Sequence, residues 1–540
     1  MPCRPCACAA ALLWLCGGAA ARANPPPQLL QVAGHTELRV QGKPLLLLGG
    51  ELANSSAGTA AAAARVLPAL ARRGFNTILM PVAWRQIEPR PGHFDFAVLD
   101  QWIARARAQH LHLVLLWFGS WKNALSSYAP TWVLTDPQRY RRARSVSGAP
   151  LPMLSVFGRA TRRADAQAFA RLLHHLRRID ARQQTVVMVQ IENEVGYLGL
   201  GGRDRSSRAN RLFARPVPGR LIRVLQAAHC RLPWRLKHAV HLTGGTWTAV
   251  FGPLADQAFM AWYYARYVQA VARAGLARDA LPVYMNAQLP APHERAGHYP
   301  SGGPDPLMQP IYRAGAPAID FYAPDIYWPD FERWVSRYRR AGNPIFVPES
   351  RRSLAAFDAL YVFGQARGFG FSAFAVDQPP PQGDRPQRSL AAVYEALRHL
   401  APALLRAQRA DRTRALILHL DSPRPEQTLA LGGYWFRATL ARDWKSGRPR
   451  THTGAMLLIE RRAGDFDLLG MGLTVTVLRD PDVDTGIAGI AQVDRLAWHA
   501  GRWRVVQRLN GDQTNQGRQI LLSAHHVGVY RVRLYSIARR

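Results

Sequence analysis

The sequence predicts a (β/α)8 TIM barrel followed by a small C-terminal antiparallel β-sandwich, and three observations lead to this fold class. Eight short apolar runs follow one another between residues 45 and 374, and helical sequence is available before each next run. Two of these runs end in a glutamate, as catalytic strands of such barrels do at their carboxyl ends. After Asp377 the chain changes to short β-type runs separated by turn residues, which is the pattern of an antiparallel sandwich.

The length and composition are those of a globular protein. The 540 residues leave room for a barrel of ~250 residues and a further module. The formal net charge is +34, but 66 of the 70 basic residues are arginine, and these are scattered along the chain. We interpret them as solvated surface residues. Because no aromatic and basic stripe accompanies them, the sequence predicts no nucleic-acid partner.

The first 23 residues are predicted to be a signal peptide. Arg4 precedes an apolar segment from Ala7 to Leu15, and an Ala-x-Ala-like cleavage site follows at 21–23. Four of the five cysteines fall in this leader, so Cys230 has no partner for an internal disulfide. No later stretch reaches 18 apolar residues, so no membrane span is predicted. We expect an exported protein, periplasmic or extracellular in a Gram-negative bacterium.

Residues 24–410 are predicted to form the barrel. An Ala-rich helix ends before Gly74 and joins the first two strands, which is the order of a parallel βαβ unit. Later helices are indicated by apolar residues at i, i+3, i+4 and i+7, as between Phe169 and Ile179. The stretch 196–253 shows no period and is predicted to be a long loop over the active-site end. The predicted strands are 45–48, 77–82, 113–118, 186–189, 283–286, 319–327, 345–349 and 368–374.

Residues 411–540 are predicted to form the sandwich, after a last amphipathic helix at 389–408. The segment carries short runs rich in β-branched and aliphatic residues, with glycine and polar turn residues between them. The predicted runs are 416–418, 429–440, 456–460, 473–478, 504–506, 520–522 and 529–534.

Two glutamates at strand ends predict the chemistry. Glu194 follows the apolar run 186–189, and Glu349 follows the apolar run 344–348. Ionised carboxylates do not stay buried unpaired, whereas the carboxyl end of a barrel strand points into a solvent-filled cup. Retaining hydrolysis of a glycosidic bond needs one carboxylic acid and one carboxylate about 5 Å apart. We therefore predict that Glu194 is the general acid/base and Glu349 the nucleophile.

The motif Gln190-Ile191-Glu192-Asn193-Glu194-Val195-Gly196 resembles the acid/base motif of glycoside hydrolase family 35, the β-galactosidases of the (β/α)8 clan A. Segments 74–77, 81–84, 88–89 and 92–96 resemble the early barrel of this clan, and the tail resembles the β-sandwich of a bacterial branch of the family. The resemblance implies an acid/base glutamate after an asparagine on strand four and a nucleophile at the end of strand seven. The chain departs from better-known members at 117–123, where they carry a sugar-contacting carboxylate, and at 347–350.

Further side chains near strand ends are predicted to bind the sugar. Asn193 is suited to hydrogen-bond the 2-hydroxyl, Tyr327 to hold the nucleophile through its phenol, and Glu51 to contact hydroxyl groups. Asn286 is also a predicted substrate-binding residue. So are four tryptophans whose indole rings could stack on a pyranose, namely Trp84, Trp117, Trp121 and Trp328.

No metal or other cofactor is predicted. Asp480, Asp482 and Asp484 imitate the start of a calcium loop, but Thr485 stands where the loop needs glycine.

The sequence as a whole predicts a retaining exo-acting β-galactosidase that hydrolyses terminal β-galactosyl residues from oligo- or polysaccharides. One alternative is a hydrolase of the same fold acting on another β-glycoside, such as a glucoside, xyloside or uronide. The other is a non-catalytic carbohydrate-binding protein of the cell envelope. The sequence leaves the oligomeric state open.

Overall fold

The computed structural model describes residues 25–379, 386–479 and 486–537. The predicted signal peptide at 1–23 lies outside the described residues, as do Asp480, Asp482 and Asp484. The strands before residue 380 are β1 (Gln28–Val32), β2 (His35–Val40), β3 (Lys43–Leu45), β4 (Leu47–Glu51), β5 (Thr77–Ala83), β6 (His112–Phe118), β7 (Arg142–Arg144), β8 (Pro150–Leu154), β9 (Val186–Ile191), β10 (Val283–Gln288), β11 (Phe321–Ile326), β12 (Phe346–Val347), β13 (Glu349–Ser350) and β14 (Gly370–Ala373).

Nine of these strand segments form one parallel sheet that closes into the predicted barrel. Their order is β12-β14-β4-β5-β6-β9-β10-β11-β13. The two outer segments, β12 and β13, are halves of a single strand separated by Pro348. Phe346 pairs with β14 and Glu349 pairs with Asp325 of β11, so the sheet closes at this proline. Proline has no N–H to donate to a ladder, and the strand is interrupted there for that reason. The eight predicted strands are all present.

The other end of the barrel is covered by a small antiparallel sheet of β1, β2 and β3. Leu38 and Val40 of β2 pack with Leu47, Phe346 and Phe369, which lie near the amino ends of the barrel strands. Apolar side chains from the strands fill the barrel interior in the same cluster. Only the carboxyl end of the barrel is therefore left to hold a site.

The helices follow the predicted alternation with the barrel strands. The first begins at Thr59, whose side-chain oxygen accepts a hydrogen bond from the Ala62 N–H, and Gly74 with φ +84° follows its end. The helices are α1 (Ala60–Arg72), α2 (Trp84–Ile87), α3 (Ala97–Ala108), α4 (Thr131–Leu134), α5 (Arg159–Asp180), α6 (Ser207–Phe213), α7 (Gly219–Ala227), α8 (Trp234–Ala239), α9 (Trp247–Phe251), α10 (Ala255–Leu276), α11 (Gln309–Gly315), α12 (Phe331–Arg340), α13 (Ala355–Gly364) and α14 (Pro386–Arg409).

The stretch 196–253 is not the long loop that the sequence predicts. It contains α6, α7, α8 and α9, and it packs on the outside of the barrel, where α7 contacts α11 and α9 contacts α10. These helices have only 5–9 residues each. Segments of one or two turns are too short for an apolar period to be recognised.

The C-terminal strands form the predicted sandwich. A six-stranded sheet has the order β15-β18-β19-β24-β21-β22, and a four-stranded sheet has the order β16-β17-β20-β23. Buried aliphatic and aromatic residues fill the space between the two sheets. The strands are β15 (Thr413–His419), β16 (Glu426–Leu431), β17 (Tyr434–Leu440), β18 (Thr453–Arg462), β19 (Asp465–Met471), β20 (Leu473–Arg479), β21 (Ile487–His499), β22 (Arg502–Leu509), β23 (Gln519–Leu521) and β24 (Gly528–Ile537).

Two details of the sandwich differ from the prediction. The run 429–440 is not one strand, because Gly432 and Gly433, both with positive φ, turn it into the β16–β17 hairpin. Strands β19 and β21 are additional to the predicted runs.

The six-stranded sheet packs its second face on α13 and α14, so the sandwich is joined to the barrel by buried apolar contacts. The boundary at residues 410 and 411 remains a prediction. Within the described residues, no helix combines the length and the apolarity needed to cross a bilayer.

Candidate active site

Four carboxyl groups meet at the carboxyl end of the barrel, in an enclosure that we call the cup. Glu51 ends β4, Asp325 lies in β11, Glu349 begins β13, and Glu194 follows the end of β9. Each of the four residues is at most 4% exposed. Parallel strands that end on one face of a barrel bring these side chains together, although 155 residues separate Glu194 from Glu349 in the chain.

The two predicted catalytic glutamates are within reach of a single sugar. One carboxylate oxygen from each of Glu194, Asp325 and Glu349 lies within 4.8 Å of one from each of the others. Burial, and then the charge of Glu349, raise the pKa of Glu194 to about 7. Lys122, Asp325 and Asn123 act in the opposite direction on this pKa. Glu194 can therefore carry a proton near neutral pH, as a general acid must.

Left-handed backbone conformations aim Glu194 into the cup. The φ angle of Glu192 is 60° and that of Glu194 is 45°. Such angles are strained for residues with a Cβ and persist only where neighbours hold them. Here the Glu194 N–H donates to Asn286 Oδ1 at 2.9 Å, and the Glu194 carbonyl accepts from the Ala124 N–H at 3.1 Å. The turn after β9 is thereby fixed relative to β10 and to the segment after β6.

Three side chains donate to Glu349, and all three are residues predicted from the sequence. The Tyr327 hydroxyl lies 2.9 Å from Oε2, and the amides of Asn193 and Asn286 lie 3.3 and 3.4 Å from Oε1. Asn286 also donates to Asp325 Oδ2 at 2.7 Å. Tyr327 is 36% exposed, so it lies at the mouth of the cup. These contacts orient the carboxylate whose role as nucleophile is predicted.

Glu51 and Asp325 form the more enclosed side of the cup. Burial, and then the charge of Glu349, raise the pKa of each well above its ordinary value. A raised pKa favours the protonated form, in which a carboxyl group can donate as well as accept hydrogen bonds. No described N–H or O–H group donates to either oxygen of Glu51 or to Asp325 Oδ1. Asp325 was missed in the sequence, where it lies inside a buried strand rather than at its end.

A cation from the loop after β6 also faces the cup, and it was not among the residues predicted from the sequence. Lys122 is 5% exposed. Burial disfavours its charged form, but the charges of Glu349, Glu194, Glu51 and Asp325 outweigh burial and raise the pKa of Lys122. The next residue, Asn123, donates from Nδ2 to Glu194 Oε2. A usable signal was the position of Lys122, since it lies shortly after a strand end in a chain with four lysines.

Three of the four predicted tryptophans do not reach the cup surface. Trp84, Trp117 and Trp121 are fully buried. Their indole N–H groups are bonded inside the protein, to Glu88 at 2.8 Å, Asp165 at 3.0 Å and the Leu154 carbonyl at 3.1 Å respectively. The prediction that these three rings stack on a pyranose is wrong, because tertiary packing covers both faces. Trp328 is half-buried beside Tyr327 and stays a candidate.

A buried polar network supports the cup from the side of α5. Asp165 accepts hydrogen bonds from Trp117, from Ser120 at 2.6 Å and from Tyr267 at 3.0 Å. Glu192 accepts from the Trp121 N–H at 2.8 Å, and burial followed by the charge of Asp165 raises the pKa of Glu192 well above its ordinary value. This network holds the segment 117–121, from which Lys122 extends.

The comparison with protein families links part of the barrel to glycoside hydrolases. Residues 62–215 match the family model Glyco_hydro_42, described as Beta-galactosidase. The match includes β5, β6, β9 and Glu194 and ends before Glu349. Residues 390–521 match the model DUF5597, a domain of unknown function. The resemblance to family 35 is not confirmed, because the matched model is of another family. None of the curated proteins compared matches the chain.

Solved structures with a similar fold include two β-galactosidases and a mannanase. The enzyme from the psychrophilic Marinomonas ef1 is 12% identical, with a TM-score of 0.42 over 66% of this chain and 60% of its own. The β-galactosidase from the haloarchaeon Halorubrum lacusprofundi is 16% identical, with a TM-score of 0.44 over 65% of this chain and 58% of its own. The β-mannanase from the blue mussel Mytilus edulis is 12% identical, with a TM-score of 0.41 over 68% of this chain and 97% of its own. The chain thus spans about 60% of the β-galactosidases it matches.

Proposed function

We propose that this protein is a retaining glycoside hydrolase, an exo-acting β-galactosidase that releases terminal β-galactosyl residues from oligo- or polysaccharides. The proposal depends on one observation, the approach of Glu194 and Glu349 to within 4.8 Å inside a buried cup. Retaining enzymes hold their carboxyl groups about 5–5.5 Å apart, whereas inverting enzymes keep ~6.5–9.5 Å to admit a water. The short separation favours double displacement.

In the first step, a carboxylate oxygen of Glu349 attacks the anomeric carbon. The bond from that carbon to the leaving oxygen breaks, and Glu194 transfers its proton to this oxygen. Tyr327, Asn193 and Asn286 hold Glu349 in position for the attack. The product is a glycosyl ester on Glu349, and Glu194 is left ionised.

In the second step, Glu194 takes a proton from a water molecule that attacks the same carbon. The ester bond to Glu349 breaks, the sugar leaves with its original anomeric configuration, and both glutamates return to their starting states. A pKa of about 7 suits Glu194 to both roles, since it can give and take a proton near neutral pH.

The galactose preference is supported by the description of the family model that matches residues 62–215. The enclosure of Glu51, Glu194, Asp325 and Glu349 supports exo action, because a buried cup accepts one terminal sugar more readily than the middle of a chain. Export to the periplasm or the medium is part of the proposal and rests on the leader at 1–23.

The test begins with a panel of 4-nitrophenyl β-glycosides and the purified protein. We expect the galactoside to give the highest kcat/KM among galactoside, glucoside, xyloside and uronide. A preference for another member would replace the galactosidase assignment but keep the mechanism. Proton NMR of the first product should show the β-anomer, and an α-anomer would reject double displacement.

Trapping locates the nucleophile. A 2-deoxy-2-fluoro-galactosyl fluoride should label the peptide that contains Glu349, and Glu349→Ala should lose turnover with its fold intact. Glu426→Ala, at an exposed position of β16, is the matched control and should keep wild-type kinetics. Normal behaviour of Glu349→Ala would instead favour the non-catalytic carbohydrate-binding alternative.

A further inference from the structure

Lys122 is an exception in this chain. The protein has four lysines against 66 arginines, and Lys122 is the buried one, whereas Lys43 and Lys445 are exposed and Lys237 is half-buried. An ammonium is a compact point charge with three donors, and arginine does not replace it in a tight space. A lysine at this position, in a chain whose other basic residues are almost all arginine, indicates a requirement for that shape.

The ammonium of Lys122 has no hydrogen-bond acceptor among the described residues. No carboxylate of the described chain lies within ion-pair distance of Nζ, which lies 5.3 Å from the centroid of the Phe118 ring. Its N–H groups are nevertheless in a buried space, within electrostatic range of all four carboxyl groups of the cup. Nζ is not one of the fully enclosed polar atoms without a partner, so its N–H groups are accessible to a ligand that supplies oxygen atoms.

The backbone fixes this ammonium relative to Glu194. Residues 122–125 form a tight turn in which Lys122 and Leu125 exchange backbone hydrogen bonds of 2.8 and 3.0 Å. Asn123 and Ala124 have φ angles of 50° and 62°, which are strained for residues with a Cβ. Ala124 N–H donates to the Glu194 carbonyl, and the Asn123 amide donates to its carboxylate. A strained turn bonded to the acid/base residue indicates that the placement of Lys122 matters for function.

We infer that Lys122 is a specificity-determining residue, whose ammonium donates to a hydroxyl oxygen of a neutral glycone bound in the cup. This inference rests on the proposed function and deepens it. The oxygens of Glu51, which lie beside the Glu349 carboxyl group and accept from no described N–H or O–H group, are in the same enclosure and provide acceptors for hydroxyl protons. A sugar hydroxyl can accept from the ammonium and donate to a carboxyl oxygen at the same time.

The charge of the cup selects against uronides. Glu349 is the ionised nucleophile of the proposed mechanism, and one of its oxygens lies within 4.8 Å of an oxygen of Glu194 and of one of Asp325. The carboxylate of a uronic acid would therefore approach an existing negative charge. Like charges in a buried space repel strongly. Lys122 therefore serves hydroxyl recognition rather than carboxylate recognition, and the substrate class is a neutral glycoside.

The experiment uses 4-nitrophenyl β-galactoside and its four monodeoxy analogues, lacking the 2-, 3-, 4- or 6-hydroxyl. Wild type, Lys122→Met and the exposed control Lys43→Met are compared by kcat/KM. We expect one analogue to be about ten- to hundredfold worse than the parent for wild type, the range for a hydrogen bond to a charged group. Lys122→Met should abolish that one penalty and keep the other three, while Lys43→Met keeps all four. A purely structural role of Lys122 would lower kcat/KM for every substrate alike. If Lys122→Met keeps the same rate loss for every deoxy analogue as wild type, the inference is overturned.

Two further measurements extend the test: the first uses wild type only and does not depend on how Lys122→Met folds, and the second measures binding and does not depend on turnover. Wild type should prefer neutral glycosides to 4-nitrophenyl β-glucuronide and β-galacturonide, and a faster reaction with either uronide would overturn the inference. Titration calorimetry of galactose into Glu349→Gln should show binding that weakens about tenfold or more when Lys122→Met is added. If galactose binding depends on Lys122 but wild type turns over no glycoside, the proposed function is rejected and the inference about Lys122 is supported. If wild type turns over the galactoside but Lys122→Met keeps the rate loss of every deoxy analogue, the inference is rejected and the proposed function is supported.

Discussion

Replacing Glu194 with glutamine should stabilise the barrel more at pH 8 than at pH 5, relative to wild type. Burial, and then the charge of Glu349, raise the pKa of Glu194 from the ordinary 4.5 to about 7. Between these values the folded protein holds a proton that the unfolded chain releases. The free energy of unfolding of wild type therefore falls as the pH rises through this window. Glutamine has no charge to bury, so the variant does not share this loss.

The size of the effect follows from the two pKa values. Their difference of about 2.5 pH units, at ~1.4 kcal/mol for each, amounts to between about 3 and 4 kcal/mol in full, and about 3 kcal/mol of this falls between pH 5 and pH 8. For a barrel of about 350 residues, an unfolding entropy of ~2.1 cal/mol/K per residue converts this free energy into about 4 °C of melting temperature. Glutamine keeps an oxygen for the Asn123 amide, so the hydrogen bond is retained in the variant.

Differential scanning calorimetry at pH 5 and pH 8 measures the effect. The difference in Tm between Glu194→Gln and wild type should increase by about 4 °C from the lower to the higher pH. Glu426→Gln changes an exposed carboxylate on β16, and its difference from wild type should stay constant. A Glu194→Gln difference that is constant, or that decreases with pH, would refute the argument that Glu194 is buried against a second negative charge.

Three other changes have expected outcomes. Tyr327→Phe removes the hydroxyl that donates to Glu349 at 2.9 Å. In steady-state kinetics kcat should therefore fall about ten- to hundredfold, with KM nearly unchanged. An unchanged kcat would show that the phenol does not orient the nucleophile. Gly196→Ala would place a Cβ 2.2 Å from the backbone of Pro300, and urea unfolding should show a loss of about 3 kcal/mol, whereas wild-type stability would contradict the close approach. Asp165→Ala removes the acceptor of three buried donors, of which Ser120 and Tyr267 keep only their bond to each other and Trp117 keeps none. Its loss of about 3–5 kcal/mol in the same assay should exceed that of an exposed Asp→Ala variant.

The barrel could be predicted from the sequence because its signals are local. Each barrel strand is a short run buried on both sides, and such runs are apolar throughout, as Val186–Ile191 illustrates. The helices between the strands carry an apolar stripe where they are long enough, as α5 does over 22 residues. Where elements are shorter, the local signal fails. The helices α6 to α9 were therefore taken for a loop, and the β16–β17 hairpin was taken for one strand.

The sequence by itself determined the class of fold and the pair of glutamates at strand ends, because parallel strands that end in carboxylates must present them on one face of a barrel. Only the tertiary structure decided which polar groups share the cup and which aromatic rings are buried beneath it. Lys122 and Asp325 join Glu194 and Glu349 through contacts across strands distant in the chain, while Trp84, Trp117 and Trp121 are covered by helices packed outside. Burial depends on neighbours from the whole chain, and no local pattern encodes it.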